Sequence, residues 1–346
     1  MSSLPCIHAL TETELGELLA SWGEKPFRAK QILKWVYEKR ASSWETMTDL
    51  SKGLRDTLQG AIALSCLREK ETQVSQDGQT IKFLFELSDG KLVESVLIYA
   101  PDRRTVCVSS QVGCPARCAF CASGKEGLIR NLSAAEIFEQ VLAIDRILYA
   151  KGERVSHVVF MGMGEPFENY DAVLQAIRLI NDADHLGISQ RRITVSTVGV
   201  VEGIQRFTEE GLSVNLVLSL HAPNQHIRKK IIPYARKYPI EEVLEAMVAY
   251  TRQTRRDITY EYTLLKGIND APEHAEELAR LLRGQACTVN LIPYNPVSGL
   301  HLQRPDKEAI DLFSEILNAA GVVATQRYTK GKDIAAACGQ LALKHL

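Results

Sequence analysis

Short β-branched runs that alternate with amphipathic helices from about residue 105 onward predict an α/β fold, an open, partial (βα)6 barrel. Two further observations complete the architecture. A strand-poor stretch from Leu10 to about Leu64 has helical spacing of its apolar residues, and two strand-like runs flank the dipeptide Asp89-Gly90. The chain therefore divides into a helical accessory domain (1–75), a connecting β-hairpin extension (76–104) and a barrel with a carboxyl-terminal segment that carries Cys338 (105–346).

In the first domain, Leu15, Leu18 and Leu19, then Ile32, Leu33 and Val36, recur at helical spacing. Thr11 with Glu14 three residues later forms a capping-box pattern, which marks a helix start. Lys25, Arg28, Lys30, Lys34, Lys39 and Arg40 make this region locally basic, as a solvated helical face also would be. In "IKFLFELSDGKLVESVLIYA", Asp89-Gly90 favours positive φ in a tight turn, so a hairpin is expected. Glu94 lies on its second strand, where burial statistics alone favour the solvent face. The barrel strands are read at 105–112, 155–160, 192–197, 213–220, 257–264 and 288–292, with a helical pattern after each. Six βα units are fewer than the eight of a closed barrel, and the chemistry belongs at the carboxyl ends of the strands.

Composition narrows the function classes. At 346 residues, 45% hydrophobic and 24% charged, the chain can bury a large core, and no apolar run approaches the ~18 residues of a membrane span. With no basic segment and apolar core at the start, a cytoplasmic location is expected. A net charge of −1 gives no global attraction for nucleic acid. Any RNA contact must come from local groups such as Arg103-Arg104, Arg191-Arg192, Arg228-Lys229-Lys230, Arg236-Lys237, Arg255-Arg256, Lys330 and Lys332.

Eight cysteines in a reducing compartment point to metal or redox chemistry wherever they cluster. They cluster in "VCVSSQVGCPARCAFCASG", where Cys114, Cys118 and Cys121 follow the first barrel strand with the spacing CxxxCxxC. A structural zinc site would be one ligand short, with no histidine in the following 35 residues. A [4Fe–4S] cube held by three cysteines keeps one iron open for a small molecule. "FMGMGEP" ends the second strand, with Gly162 and Gly164 permitting close backbone approach and Glu165 able to accept a hydrogen bond from an ammonium group. Ser196, Ser219-Leu220-His221 and Asn295 end or follow later strands on the same rim.

These residues, with "VESVLI", "CVSSQVGC", "CAFC", "VSTVGV", "SLHAPN", "LIPYNP" and "AACGQL", make the chain resemble the radical S-adenosylmethionine superfamily. Within it, the chain is similar to the RlmN/Cfr family of RNA adenine methyltransferases over essentially its whole length. The resemblance implies a radical-SAM barrel with one [4Fe–4S] cluster on Cys114, Cys118 and Cys121. It implies S-adenosylmethionine held at Gly164, Glu165, Ser196, Ser219, Leu220, His221 and Asn295. It further implies that carbon 2 of an adenine in 23S rRNA, at the peptidyl transferase centre, and of the adenine 3′ of the anticodon in tRNA, is methylated. Cys338 would carry the methyl group, Cys107 would form a disulfide with it to release the product, and Glu94 would accept a proton. Two S-adenosylmethionine molecules would be consumed per methyl group, and a flavodoxin-like protein would supply single electrons to a monomeric enzyme with an RNA-binding accessory domain. Cys6, Cys66 and Cys287 lack such a context and read as structural. Three alternatives stay open: a Cfr-type carbon-8 methyltransferase, a non-catalytic iron–sulfur RNA-binding protein, and a radical enzyme of another reaction type, the last two having no use for Cys107 paired with Cys338.

Overall fold

Three helices open the chain in the computed structural model, which describes residues 4–327 and 330–341. They are α1 (Glu12–Ser21), α2 (Phe27–Tyr37) and α3 (Lys52–Ala61). The capping box forms as expected: Thr11 Oγ1 accepts from the Glu14 N–H at 3.2 Å, and the Glu14 carboxylate accepts from the Thr11 N–H at 2.8 Å. Leu15, Leu19, Ile32, Val36, Leu54 and Leu58 are buried in one core with the barrel. The outermost residues of the first and last expected domains, 1–3 and 342–346, lie outside the described residues.

One ten-stranded sheet then organises the molecule. Strands β1 (Leu67–Val74), β2 (Thr80–Leu87), β3 (Leu92–Ala100) and β4 (Arg103–Cys107) are antiparallel neighbours. From β4 the order continues in parallel through β7 (His157–Phe160), β8 (Ile193–Thr197), β9 (Asn215–Ser219), β10 (Ile258–Leu264), β11 (Cys287–Pro293) and β12 (Val323–Gln326). A separate pair joins β5 (Gln111–Gly113) to β6 (Leu128–Asn131). Helices α4 (Ala134–Tyr149), α5 (Tyr170–Asn181), α6 (Val201–Glu209), α8 (Ile240–Thr254), α9 (Pro272–Leu281) and α10 (Lys307–Ala319) follow the barrel strands, with a short α7 (Gln225–Ile231) beside the rim. The six expected strands are the six from β4 to β11, and β12 adds a seventh parallel strand.

Three boundaries differ from the sequence reading. Residues 67–74, counted with the helical domain, form β1, an exposed edge strand rich in charge that has no apolar face to announce it. The expected hairpin does turn at Gly90, with φ +80°, but it is part of a three-stranded meander whose last strand pairs with the barrel. The first barrel strand, read as 105–112, stops at Cys107, and the chain leaves the sheet to build β5.

The accessory helices are locked to the barrel by a buried ion pair. Arg40 Nε donates to Asp145 Oδ2 of α4 at 2.6 Å, with both side chains 2% exposed. Arg40 is thus no part of a solvated basic face. The other Asp145 oxygen accepts from the Val155 N–H at 2.8 Å. Arg40→Ala leaves that carboxylate buried and half-partnered, and a loss of about 3–5 kcal/mol in unfolding free energy is expected by chemical denaturation. Lys34→Ala removes only an exposed pair and is expected to cost under about 1 kcal/mol.

Candidate active site

Backbone hydrogen bonds decide where the cysteine loop sits. Beyond β4, the Val108 N–H donates to Val159 O at 3.0 Å, the Gly162 N–H to Val108 O at 3.0 Å, and the Ser110 N–H to Met163 O at 2.8 Å. The loops after β4 and β7 therefore run against each other with no room for side chains between them. A Cβ on Gly162 would lie 2.6 Å from Val108 O, and one on Gly164, whose φ is +111°, would lie 2.6 Å from Ser110 Oγ. Gln140 of α4 clamps the same place from outside. Its Oε1 accepts from the Ser109 N–H at 2.8 Å and its Nε2 donates to Ser109 O at 2.9 Å.

The cysteine loop also grips the carboxyl-terminal segment. The Ala122 N–H donates to Gly339 O at 2.8 Å, Ser123 Oγ donates to Leu341 O at 2.6 Å, and Asn295 Nδ2 donates to Cys338 O at 3.3 Å. One cavity results. Its wall is shared by Cys114, Cys118, Cys121, Gly162, Gly164, Glu165, Ser196, Ser219, His221, Asn295 and Cys338. Of the residues singled out for S-adenosylmethionine, only Leu220 is absent from that wall. Its side chain is in the core, and its N–H donates to Glu261 O at 3.1 Å.

Electrostatics give each group a definite state. Burial pushes the Cys114 thiol up to about 12 and raises Cys118 and Cys121 as well. Free thiols at these positions stay protonated at neutral pH; a cationic metal centre is the chemistry that converts buried thiols to thiolates, so the donor set fits an iron–sulfur cluster. Burial raises Glu165 to about 7, against the pull of the Val198 N–H at 2.8 Å and the Phe167 N–H at 3.1 Å. His221, with φ +55°, is lowered to about 3 by burial and by Arg228, so its ring is neutral. The Thr263 N–H donates to its Nδ1 at 2.9 Å, which assigns the ring proton to Nε2.

Cys338 also borders a second, smaller cavity lined by Cys107, Met161, Ala336 and Arg327. Burial pushes Cys107 up to about 12 and raises Cys338, while the Arg327 guanidinium opposes both shifts. Arg327 is held by Glu261 at 3.0 Å. Glu94 is buried, contrary to the statistical expectation, and forms an ion pair with Lys82 of β2 at 3.0 Å. It shares the inner face of β3 with Val96, the register partner of Cys107, about 7 Å away along the strand. Its own groove is a different one, lined by Lys82 and by Asp333, Ile334 and Ala335 of the segment that continues to Cys338. Arg327, Glu261, Gln140 and Lys82 carried no motif in the sequence and were not singled out there. A buried charge within an apolar run, as in Glu261 between Tyr260 and Tyr262, is the one signal that pointed inward.

Among the basic residues named as phosphate contacts, Arg228 is corrected. It is fully buried and donates to the carbonyls of Leu220, Tyr238 and Val198, tying three rim segments together. Its neighbours Lys229 and Lys230 are exposed.

Comparison with known proteins follows this geometry. The family model described as the radical SAM superfamily matches residues 108–282, and that of the ribosomal RNA large subunit methyltransferase N-terminal domain matches residues 7–64. A probable dual-specificity RNA methyltransferase RlmN 2 from Protochlamydia amoebophila (strain UWE25) is 63% identical over 331 residues, 96% of this chain and 92% of that protein. A probable dual-specificity RNA methyltransferase RlmN from Symbiobacterium thermophilum is 48% identical, covering 95% of this chain and 88% of that one. The crystal structure of a radical SAM methyltransferase from Sphaerobacter thermophilus superposes with a TM-score of 0.94 at 46% identity, over 97% of this chain and 99% of that one.

The contact between the loops after β4 and β7 predicts an ordering of glycine variants. Gly162→Ala and Gly164→Ala are each expected to cost about 1–3 kcal/mol in chemical denaturation, because a Cβ meets atoms of the facing loop. Gly53→Ala, in α3 with open space around it, is expected to be neutral or stabilising by up to about 1 kcal/mol.

Proposed function

This chain belongs to the RlmN family of dual-specificity RNA methyltransferases within the radical SAM superfamily, and from that premise we propose that it methylates carbon 2 of adenine in 23S rRNA and in tRNA through a methyl group carried on Cys338. As a radical SAM enzyme it uses a [4Fe–4S] cluster and S-adenosylmethionine, which together supply a 5′-deoxyadenosyl radical. Cys114, Cys118 and Cys121 would hold the cluster. Gly164, Glu165, Ser196, Ser219, His221 and Asn295, with backbone at Leu220, would hold S-adenosylmethionine. The observation that carries the reading is the place of Cys338, whose side chain borders both the cavity of the cluster cysteines and the cavity of Cys107.

Carbon 2 of adenine is an electron-poor amidine carbon and does not attack a sulfonium methyl, so a methyl donor held by the protein is needed. Cys338 Sγ, giving up its proton, takes a methyl group from one S-adenosylmethionine, which leaves as S-adenosylhomocysteine, and presents it to the cluster side, where the 5′-deoxyadenosyl radical from a second S-adenosylmethionine would remove a hydrogen atom. The methylene radical adds to the adenine and links the RNA to Cys338; the adduct must then lose one electron, for which the cluster, oxidised when S-adenosylmethionine is cleaved, would be the acceptor, and a solvent proton completes the methyl group once the link is broken. Glu94 accepts the proton from the substituted carbon, and the Cys107 thiolate attacks Cys338 Sγ, so that the sulfur–carbon bond breaks as the disulfide forms. Arg327 lies beside both sulfurs and favours their thiolate forms against burial. The accessory helices would bind RNA, and the target base must leave its stack to reach a barrel interior. Action on ribosomal and transfer RNA fits a cytoplasmic enzyme, and no helix among the described residues is long and apolar enough to cross a membrane. A flavodoxin-like protein would deliver the electrons, and the enzyme would act as a monomer.

The two cysteines give opposite outcomes when removed. Cys338→Ala is expected to form neither product nor adduct. Cys107→Ala retains every step up to the link, so a covalent RNA–protein species should accumulate on a denaturing gel after anaerobic turnover, with the linked peptide containing Cys338. Normal turnover by Cys107→Ala, or a stall without adduct while the cluster is intact, contradicts the assignment.

Glu165 makes the binding of S-adenosylmethionine depend on pH. With Glu165 at about 7, only the ionised carboxylate accepts from the ligand amino group, so affinity rises with pH and levels off above about 8. At pH 6 the competent form is about a tenth of the total, and binding measured by equilibrium dialysis should be about tenfold weaker than at pH 8. Glu165→Gln is expected to bind more weakly and without this slope.

A further inference from the structure

Far from the barrel mouth, on the seam between the accessory domain and α4, a second cluster of metal-binding side chains has no part in the reaction above. The ligand atoms of Cys6, His8 and Glu139 all lie within 4.8 Å of one another. Cys66 completes the set. Its thiol neighbours that of Cys6 and the Glu139 carboxylate, and its N–H donates to Glu139 Oε2 at 2.6 Å. We propose that Cys6, His8, Cys66 and Glu139 bind one zinc ion, which clips the amino-terminal segment to α4.

The backbone prepares the site. Cys6 and Ala63 form a parallel bridge, with the Ile7 N–H donating to Ala63 O at 2.9 Å and the Ala63 N–H to Pro5 O at 2.9 Å. This brings two cysteines sixty residues apart in sequence to one place. The imidazole is already oriented for ligation. His8 Nδ1 meets the Tyr37 hydroxyl at 3.0 Å, while Nε2 is buried with no hydrogen-bond partner and points at Glu139 Oε1, 3.5 Å away. A hydrogen bond that orients the ring through one nitrogen and leaves the other to bind is the usual arrangement of a metal-ligating histidine.

The donor set selects the metal. Two thiolates, an imidazole and a carboxylate suit tetrahedral Zn²⁺, whose bonds of about 2.0–2.3 Å place ligand atoms about 3.3–3.8 Å apart, a contraction of about 1.5 Å at most from the observed spacing of Cys6, His8 and Glu139. Charge closes as well. Two thiolates and one carboxylate around Zn²⁺ leave one negative charge, and Arg146 Nη1 lies 3.4 Å from Glu139 Oε1. Binding would release the two thiol protons. Cys6 and Cys66 line a surface groove, which supplies an entry path. His8 and Glu139 are buried beside it, at 3% and 0% exposure.

Element-specific measurement separates this ion from the cluster. Full-length protein carrying its cluster is incubated anaerobically with zinc, freed of loosely held metal, and assayed by plasma mass spectrometry and zinc K-edge X-ray absorption. One zinc per chain is expected, with two sulfur scatterers at about 2.3 Å and two nitrogen or oxygen scatterers at about 2.0–2.1 Å. The double variant Cys6→Ser/Cys66→Ser should lose at least tenfold in zinc content while its iron content stays that of the parent. Should that variant not fold, the wild-type spectrum decides alone. Zinc below about 0.1 per chain, an all-sulfur zinc shell, undiminished zinc in the variant, or a Cys6–Cys66 disulfide in anaerobically isolated protein would each overturn the proposal.

Discussion

Gln140 fixes the point at which the chain leaves the sheet, and the geometry of the site depends on that point. With both amide ends bonded to the backbone of Ser109, the strand cannot continue in register beyond Cys107. Cys107 therefore stays on the barrel wall while Cys114, seven residues later, reaches the rim. The same clamp extends sideways. Ser95 Oγ donates to Gln140 Oε1 at 2.7 Å, Ser109 Oγ donates to Glu94 O at 2.7 Å, and the Met163 N–H donates to Ser109 Oγ at 2.9 Å. One buried amide and two buried hydroxyls, of Ser95 and Ser109, thus set the relative positions of β3, the cysteine loop and the loop that carries Glu165. Each bond replaces a bond to water and contributes only about 1 kcal/mol net, but an unpartnered end would cost about 1–3 kcal/mol. That asymmetry makes the arrangement specific.

Buried charge plays the corresponding part on the far rim. Arg228 satisfies three carbonyl groups that no strand reaches, and Arg327 with Glu261 forms a pair inside the barrel between β10 and the segment leading to Cys338. Neither is favourable by burial alone. Arg327 is the more consequential of the two, because its charge stands against the burial that otherwise keeps Cys107 and Cys338 protonated. The barrel interior thus holds a buried cation beside the two sulfurs.

How far the sequence disclosed this differs from residue to residue. The βα alternation gave all six expected barrel strands because their β-branched runs are bounded by clear helical patterns. β1 escaped because an edge strand wet on both faces has no alternation to read, and β12 because its four mostly exposed residues form no apolar run. The spacing of Cys114, Cys118 and Cys121 was legible as a site, whereas the glycines of "MGMGEP" taken alone read as a turn and gained meaning only from their place at a strand end beside that loop. Cys107, Cys338 and Glu94 were not legible; taken singly they read as core or surface, and only resemblance raised them. Arg228 read as a surface cation because a basic triplet says nothing about which member turns inward. The neighbourhood of Cys6 and Cys66 was invisible for a simpler reason: their proximity is created by a bridge between Cys6 and Ala63 that no local pattern encodes.

The central claim is that the transferred carbon passes through a methyl group on Cys338 that first loses a hydrogen atom. Turnover with S-adenosylmethionine deuterated in its methyl group tests it directly by mass spectrometry of the RNA nucleosides and of 5′-deoxyadenosine. The account predicts a product methyl group that retains two of its three deuterium atoms, the third hydrogen coming from solvent, and one deuterium in 5′-deoxyadenosine. A product methyl group with all three deuterium atoms and 5′-deoxyadenosine with none would contradict it.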